Sequence, residues 1–249
     1  MKVTLFSPEG ARDVDPATLA ELLAEGKTPL WIDMTGPTRE DIHAMREVFR
    51  FHPLAIEDTL NQQQRPKIEE YAGYFFMILN PITFGKPELD LRELDIFVGR
   101  NYVVTVHMGP EPVIDLTRRR LEEGQNALAA SPGYLTYVLM DTVIDEYFPV
   151  LDALGEAIEQ LEDEVMAEPR RALLAELFDI KHMLLEMWRV VWPQRDVFNQ
   201  ISHHSLPPAD QEALQHYLRD VTDHLLWVAD MVSTFRDTLS SIMDLYLDC

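Results

Sequence analysis

Cysteine is almost missing from this sequence. The single copy, Cys249, is the last residue, so no disulfide can close within the chain and no cysteine-based zinc site can form. That usage fits a reducing compartment. Long apolar runs are missing too. None approaches the roughly 20 residues that span a bilayer, and the opening MKVTLFSPEG holds no stretch long enough for a secretory signal. As it stands the chain is expected to be soluble. Basic residues are scarce: Lys plus Arg is 21 against 43 for Asp plus Glu, a formal charge of -22. Such a surface repels nucleic acid and anionic lipid and attracts cations. Phosphate contacts need clustered Lys and Arg, so nucleic acid is excluded as a partner. Enzyme signatures are absent as well. There is no GxGxxG, P-loop, GxSxG or Cys/His dyad, and nothing singles out two carboxylates as acid and base. No catalytic residue is named and no enzyme is expected.

What is present divides into two textures. The chain has 249 residues, 47% of them apolar, enough to bury a real core. Residues 1–130 mix short β-like runs with short helices. Val3 to Phe6, Leu30 to Met34, Tyr74 to Phe84, Glu93 to Val98 and Tyr102 to His107 read as strands, divided by Gly-Lys-Pro and Gly-Arg-Asn turns. The last two are spaced to pair as a hairpin. Thr38 to Phe49 reads as a helix with Thr38 as its N-cap and Asp41 in the first turn. Pro53 to Leu60 reads as a second helix with Pro53 at its first position, and Glu111 to Ala129 as a third. Strands interleaved with helices predict an α/β or α+β layered domain.

From 131 onward the pattern is helical. One helix is expected from about Gly133 to Glu168, interrupted at Pro149, and another from about Arg170 to Gln200, kinked at Pro193. Pro169 marks a turn, and Pro207-Pro208 breaks the chain before a last helix, Asp210 to Leu247. The expected units are the α/β domain 1–130, an acidic helical pair 131–206 and a stalk helix 207–249. In that last helix Leu214, Leu218, Val221, Leu225, Val228, Val232, Phe235, Leu239, Ile242 and Tyr246 follow a 4-3-4-3 spacing, a coiled-coil-like seam. At 1.5 Å per residue it would run about 57 Å and project as a stalk.

Carboxylates carry whatever chemistry there is. Asp223, Asp230, Asp237 and Asp244 recur every seven residues, on the face opposite the seam. The plain reading is a solvated outer face. The sharper one is stacked carboxylate rings around an axis, which concentrate cations. Asp141 to Glu168 holds ten acidic residues and neither Lys nor Arg. Like charges four apart weaken a helix, so this is either a solvated face offset by packing or a cation-attracting, charge-repelling switch. Hard divalent cations such as magnesium take oxygen ligands. His203 and His204, with His216 further on, match no zinc template and read as a solvated loop.

The segment His52 to Asn80, HPLAIEDTLNQQQRPKIEEYAGYFFMILN, resembles the CorA family of magnesium/cobalt transporters. Its marks are His52, Pro53, Glu57 and Asp58, then Gln64, Arg65, Pro66 and Lys67. Tyr137 to Phe148 (YVLMDTVIDEYF), Ile180 to Arg195 with Trp192-Pro193, and Tyr217 to Leu247 continue the resemblance in order. It implies a mixed β-sheet between helices, then long antiparallel helices and a C-terminal stalk helix, with five copies around a pore. It also implies that the chain ends before the first membrane helix and the family's Gly-Met-Asn signature. The fragment would then meet the membrane only through those missing helices, at the cytoplasmic face of the inner or plasma membrane. Carried over by position, Asp141 and Asp220 match acidic residues that hold regulatory Mg2+ between subunits, with Co2+ or Zn2+ able to substitute. Glu88 and Asp90 are looser candidates for the remaining ligands, from a loop of the α/β domain. Asp244, with Asp237, matches the pore-facing acidic positions. Arg65, Pro66 and Lys67 are given a structural role. The expected partners are divalent ions and further copies of the chain. Three alternatives stay open: a ZntB-type zinc transporter domain, a soluble acidic oligomeric scaffold, and, with no motif behind it, a magnesium-dependent hydrolase. For a channel, two hydrophobic spans must follow Cys249.

Overall fold

The computed structural model describes residues 1–7, 10–85, 88–123, 131–168, 170–203 and 211–248. Strands β1 (Lys2–Ser7), β2 (Gly10–Val14), β3 (Leu30–Thr35), β4 (Lys67–Tyr71), β5 (Tyr74–Leu79), β8 (Leu94–Gly99) and β9 (Tyr102–His107) form one seven-stranded sheet in the order β2-β1-β3-β9-β8-β5-β4. Every neighbouring pair is antiparallel except β3–β9, so the sheet is mixed. Strands β6 (Ile82–Gly85) and β7 (Glu88–Leu91) make a separate antiparallel ribbon. The helices are α1 (Leu19–Glu25), α2 (Arg39–His43), α3 (Pro53–Leu60), α4 (Pro112–Glu123), α5 (Pro132–Asp145), α6 (Tyr147–Ala167), α7 (Arg171–His203) and α8 (Gln211–Asp248).

Strand alternation sorts the sheet into two cores. Phe75, Met77 and Leu79 of β5 face α4 to α8, together with Trp31, Ile96 and Val103. Tyr74, Phe76 and Ile78 face α1 to α3, together with Ile32, Phe97 and Val104. The layers are therefore helix, sheet, helix, as expected of a mixed sheet between helices.

Local chemistry explains several boundaries. Thr38 caps α2 in a full capping box: it accepts from the Asp41 amide, and Asp41 accepts from the Thr38 amide. The helix then passes into a π-helical turn, Ala44–Val48, instead of continuing as one regular helix to Phe49. His52 caps α3 and Pro53 opens it, with the bounds read from sequence.

Other expectations are corrected. Tyr74 to Phe84 is two strands in two sheets, because Pro81 has no N–H for a ladder and the Asn80 amide donates to Gln194 instead. The helix break expected at Pro149 lies at Glu146, between α5 and α6. Pro149 falls in the first turn of α6, where a missing N–H costs nothing. Strands β2, β4 and β7 and helix α1 were not expected. Pro193 lies inside α7 without ending it. Lys86, Pro87, residues 124–130, Pro169, His204 and the Pro207-Pro208 break lie outside the described residues.

The seam of α8 is buried from Leu214 to Ile242 apart from partly covered Phe235. It packs on α5, α6 and α7 of the same chain. A Cβ on Gly155 of α6 would stand 3.1 Å from the Phe235 ring, so glycine allows that approach. Asp223, Asp230, Asp237 and Asp244 are exposed on the opposite face.

One buried polar ring ties the helices to the sheet. Tyr147 Oη donates to the Asn80 carbonyl at 2.6 Å and accepts from Gln194 Nε2 at 2.9 Å, while Gln194 Oε1 accepts from the Asn80 amide at 3.1 Å. Tyr147 and Gln194 are fully buried. Tyr147→Phe leaves a buried carbonyl and a buried amide each short of a partner. A loss of about 1–3 kcal/mol in urea denaturation is expected, and no loss would show that the ring adds nothing.

Candidate functional site: an acidic face between α5 and α8

Helix α5 is wrapped on nearly all sides by the sheet, α4 and α8. Asp141 is the one acidic residue among its buried positions. The Tyr137 ring, one turn earlier, meets Tyr217 of α8 at 4.9 Å in a tilted contact, and Tyr134 closes the trio at 5.6 Å from both. Tyr217 lies three residues before Asp220, so the aromatic contact sets the α8 turn that carries Asp220 against α5, while the α8 residue opposite Asp141 itself is His224. Burial pushes the Tyr137 phenol up, and the charges of Asp141 and Asp220 push it further.

Asp141 is already engaged. Arg120 of α4 places Nη1 3.0 Å from its Oδ2 and Nη2 2.7 Å from Asp145 Oδ2. His224 Nδ1 stands 3.9 Å from its other oxygen. Burial raises the Asp141 pKa, Asp145 adds repulsion, and Arg120 and His224 offset only part of this. The carboxylate gains from any added positive charge. Asp220 is exposed.

The other candidates lie apart. Glu88 and Asp90 are exposed on the β6–β7 ribbon, where Asp90 accepts from Arg92 at 3.0 Å and from Thr83 at 3.4 Å. Asp237 and Asp244 are on the solvent face of α8. Among the described residues of one copy, no three His, Cys, Asp or Glu side chains gather as a metal-holding group. Arg120, Tyr137 and His224 were not singled out from sequence. The run Arg118-Arg119-Arg120 in so acidic a chain was the available signal for the first.

The HPLAIED and QRPK residues build a brace instead. Lys67 bridges Asp58 at 2.6 Å and Glu69 at 3.0 Å. Burial alone would lower its pKa, but the bonds to these partners raise it. Glu93, just before β8, accepts the amides of Gln63 at 2.8 Å and Gln64 at 2.6 Å, and Gln63 stands at φ 87°. The Gln64 side chain donates to the Asn61 carbonyl, and Pro66 is buried. Glu57 and Arg65 point to solvent. Arg65 also lines a cleft of about 730 Å³ together with Arg92, Arg189, Glu93, Glu111 and Glu186. That balance of charges names no ligand class.

The comparisons agree with this architecture. The family model described as CorA-like Mg2+ transporter protein matches residues 26–249. The cobalt/magnesium transport protein CorA of Thermotoga maritima is 32% identical over 253 aligned positions, covering 99% of this chain and 72% of that protein. The soluble domain of CorA from Methanocaldococcus jannaschii superposes with a TM-score of 0.82 at 20% identity, covering 99% of this chain and 96% of that one. The ZntB cytoplasmic domain from Vibrio parahaemolyticus gives 0.78 at 15%, covering 98% and 95%. Those two likenesses speak for the fold. Among the described residues no helix is long and apolar enough to cross a membrane. By the extent of the match in sequence and the kinship to a transporter at 32% identity, this chain belongs to the CorA-like Mg2+ transporter family.

Proposed function

We propose that this chain is the cation-sensing part of a pentameric CorA-type divalent-cation channel, placed at the cytoplasmic face of its membrane. Mg2+ bridges neighbouring copies through Asp141 and Asp220, with Glu88 and Asp90 supplying further oxygens. Asp237 and Asp244 face the axis. The observation that supports this reading is the contact of Tyr137 with Tyr217, which brings the α8 turn bearing Asp220 against the helix bearing the buried Asp141. An all-oxygen, carboxylate donor set suits a hard divalent ion, and one copy offers only part of it, so a second copy completes the site. With the ion gone, two carboxylates about 6 Å apart repel by about 0.7 to 3 kcal/mol. Summed over several interfaces, that biases a two-state assembly between shut and open forms.

The test is magnesium-dependent melting. Asp220→Ala or Asp220→Lys should shrink the rise in melting temperature that Mg2+ gives the parent chain. An identical rise in the variants removes Asp220 from the site. A zinc-type reading has one observation of its own, the His224 ring beside Asp141. Calorimetric titration with Mg2+, Co2+ and Zn2+ separates the two, because imidazole favours the later ions.

A further inference from the structure

We propose that Arg120 is a tethered competitor for the cation at Asp141, and that it sets how much divalent ion is needed to occupy that carboxylate. This rests on the reading of Asp141 as a ligand given above. The guanidinium spans Asp141 and Asp145, two carboxylates one helical turn apart, and donates to Thr142 Oγ1 at 3.0 Å as well. Neutralising two like charges at once is what a divalent ion would do there. Both cannot use the same lone pair. Metal–oxygen bonds of roughly 2.0–2.6 Å would place the ion where the N–H of Arg120 now points.

The remaining oxygen of Asp141 faces His224 Nδ1 at 3.9 Å. Each oxygen of this buried carboxylate therefore faces a nitrogen of its own chain. An arriving ion must displace the guanidinium or accept a single crowded oxygen. Arginine suits the part because its charge is permanent and its fork matches two acceptors. The Arg120 side chain is 41% exposed while that of Asp141 is 12% exposed. The competitor can swing into solvent without unpacking the core, while the carboxylate stays in place.

Asp90 is matched to Arg92 in the same way, but that carboxylate is 59% exposed and its pair is screened by water. Competition is therefore concentrated at Asp141. The prediction concerns affinity: removing Arg120 should tighten cation binding, the opposite of what loss of a ligand does.

Melting temperature is measured against Mg2+ for the parent chain, Arg120→Met, Arg120→Lys and Asp141→Asn, at one protein concentration. The Arg120→Met midpoint should fall about tenfold in Mg2+, the equivalent of losing one charge-assisted contact. Arg120→Lys should fall in between, and it carries the test if the methionine variant does not fold. Asp141→Asn should lose the response. If both Arg120 variants keep or raise the parental midpoint while Asp141→Asn loses the response, Arg120 is no competitor, though Asp141 remains a ligand. If Asp141→Asn responds like the parent, the reading of Asp141 is wrong and this inference goes with it.

Discussion

Asp95→Asn is expected to stabilise the protein at neutral pH and to flatten the fall of its stability as pH rises above about 4. Asp95 lies on β8 under α3 and is fully buried. Neither of its oxygens has a hydrogen-bond partner among the described residues. The nearby Thr59 hydroxyl donates to the Ala55 carbonyl instead. Burial drives the Asp95 pKa well above the ordinary carboxylate range, and the charge of neighbouring Glu93 adds to it. The folded state thus holds a proton that the unfolded state releases near pH 4. Stability from this group is complete below that pH and falls as pH rises toward the folded pKa, by roughly 1 kcal/mol or slightly more per pH unit. Asparagine is close in shape and cannot ionise. The two unfolding free energies should coincide near pH 3.5 and separate steadily above it, with the variant more stable. Glu111, whose pKa is also raised by burial, is common to both proteins and cancels in the difference, whereas Glu93, whose charge acts on Asp95, is relieved of that repulsion in the variant. Parallel curves across that range would mean that Asp95 is ionised and solvated in the fold.

Why such a residue escaped the sequence reading is instructive. In LDIFVG, Asp95 looks like one polar residue in an apolar strand. Its burial depends on α3, whose Thr59 lies beside it, and periodicity does not report that. Where one local rule decides, reading succeeds. Pro53 after a capping His52 marks α3, and Thr38 with Asp41 marks α2. Where tertiary contact decides, it does not. The charges of KIEEY in β4 hide an edge strand that pairs on one side only, and the ribbon of β6 and β7 is too short for alternation to show. Asp141 and Asp220 were named through a family resemblance. Periodicity could not have chosen them from so many acidic residues. Arg120 reaches Asp141 only because α4 packs on α5, a pairing that no sequence spacing contains.

Leu225→Ala should cost about 3–5 kcal/mol, while Asp230→Asn on the same helix should change stability by about 0.5 kcal/mol or less. Leu225 lies midway along the α8 seam and is fully buried. Truncation removes its transfer free energy and leaves a cavity that rigid helices on either side cannot close. Asp230 is exposed, and surface changes away from packed features are small. The contrast tests which face of α8 one copy uses for itself. Because the seam is spent on α5, α6 and α7, the helix cannot also offer it to other copies. Any assembly must then use surfaces other than this seam. Aspartates on the outer face of α8 repel one another wherever two copies bring them together. Equal, small losses for both variants would mean that the seam is open within one copy. Helix α8 would then be held by its neighbours, and the contact of Tyr217 with Tyr137 would need another cause.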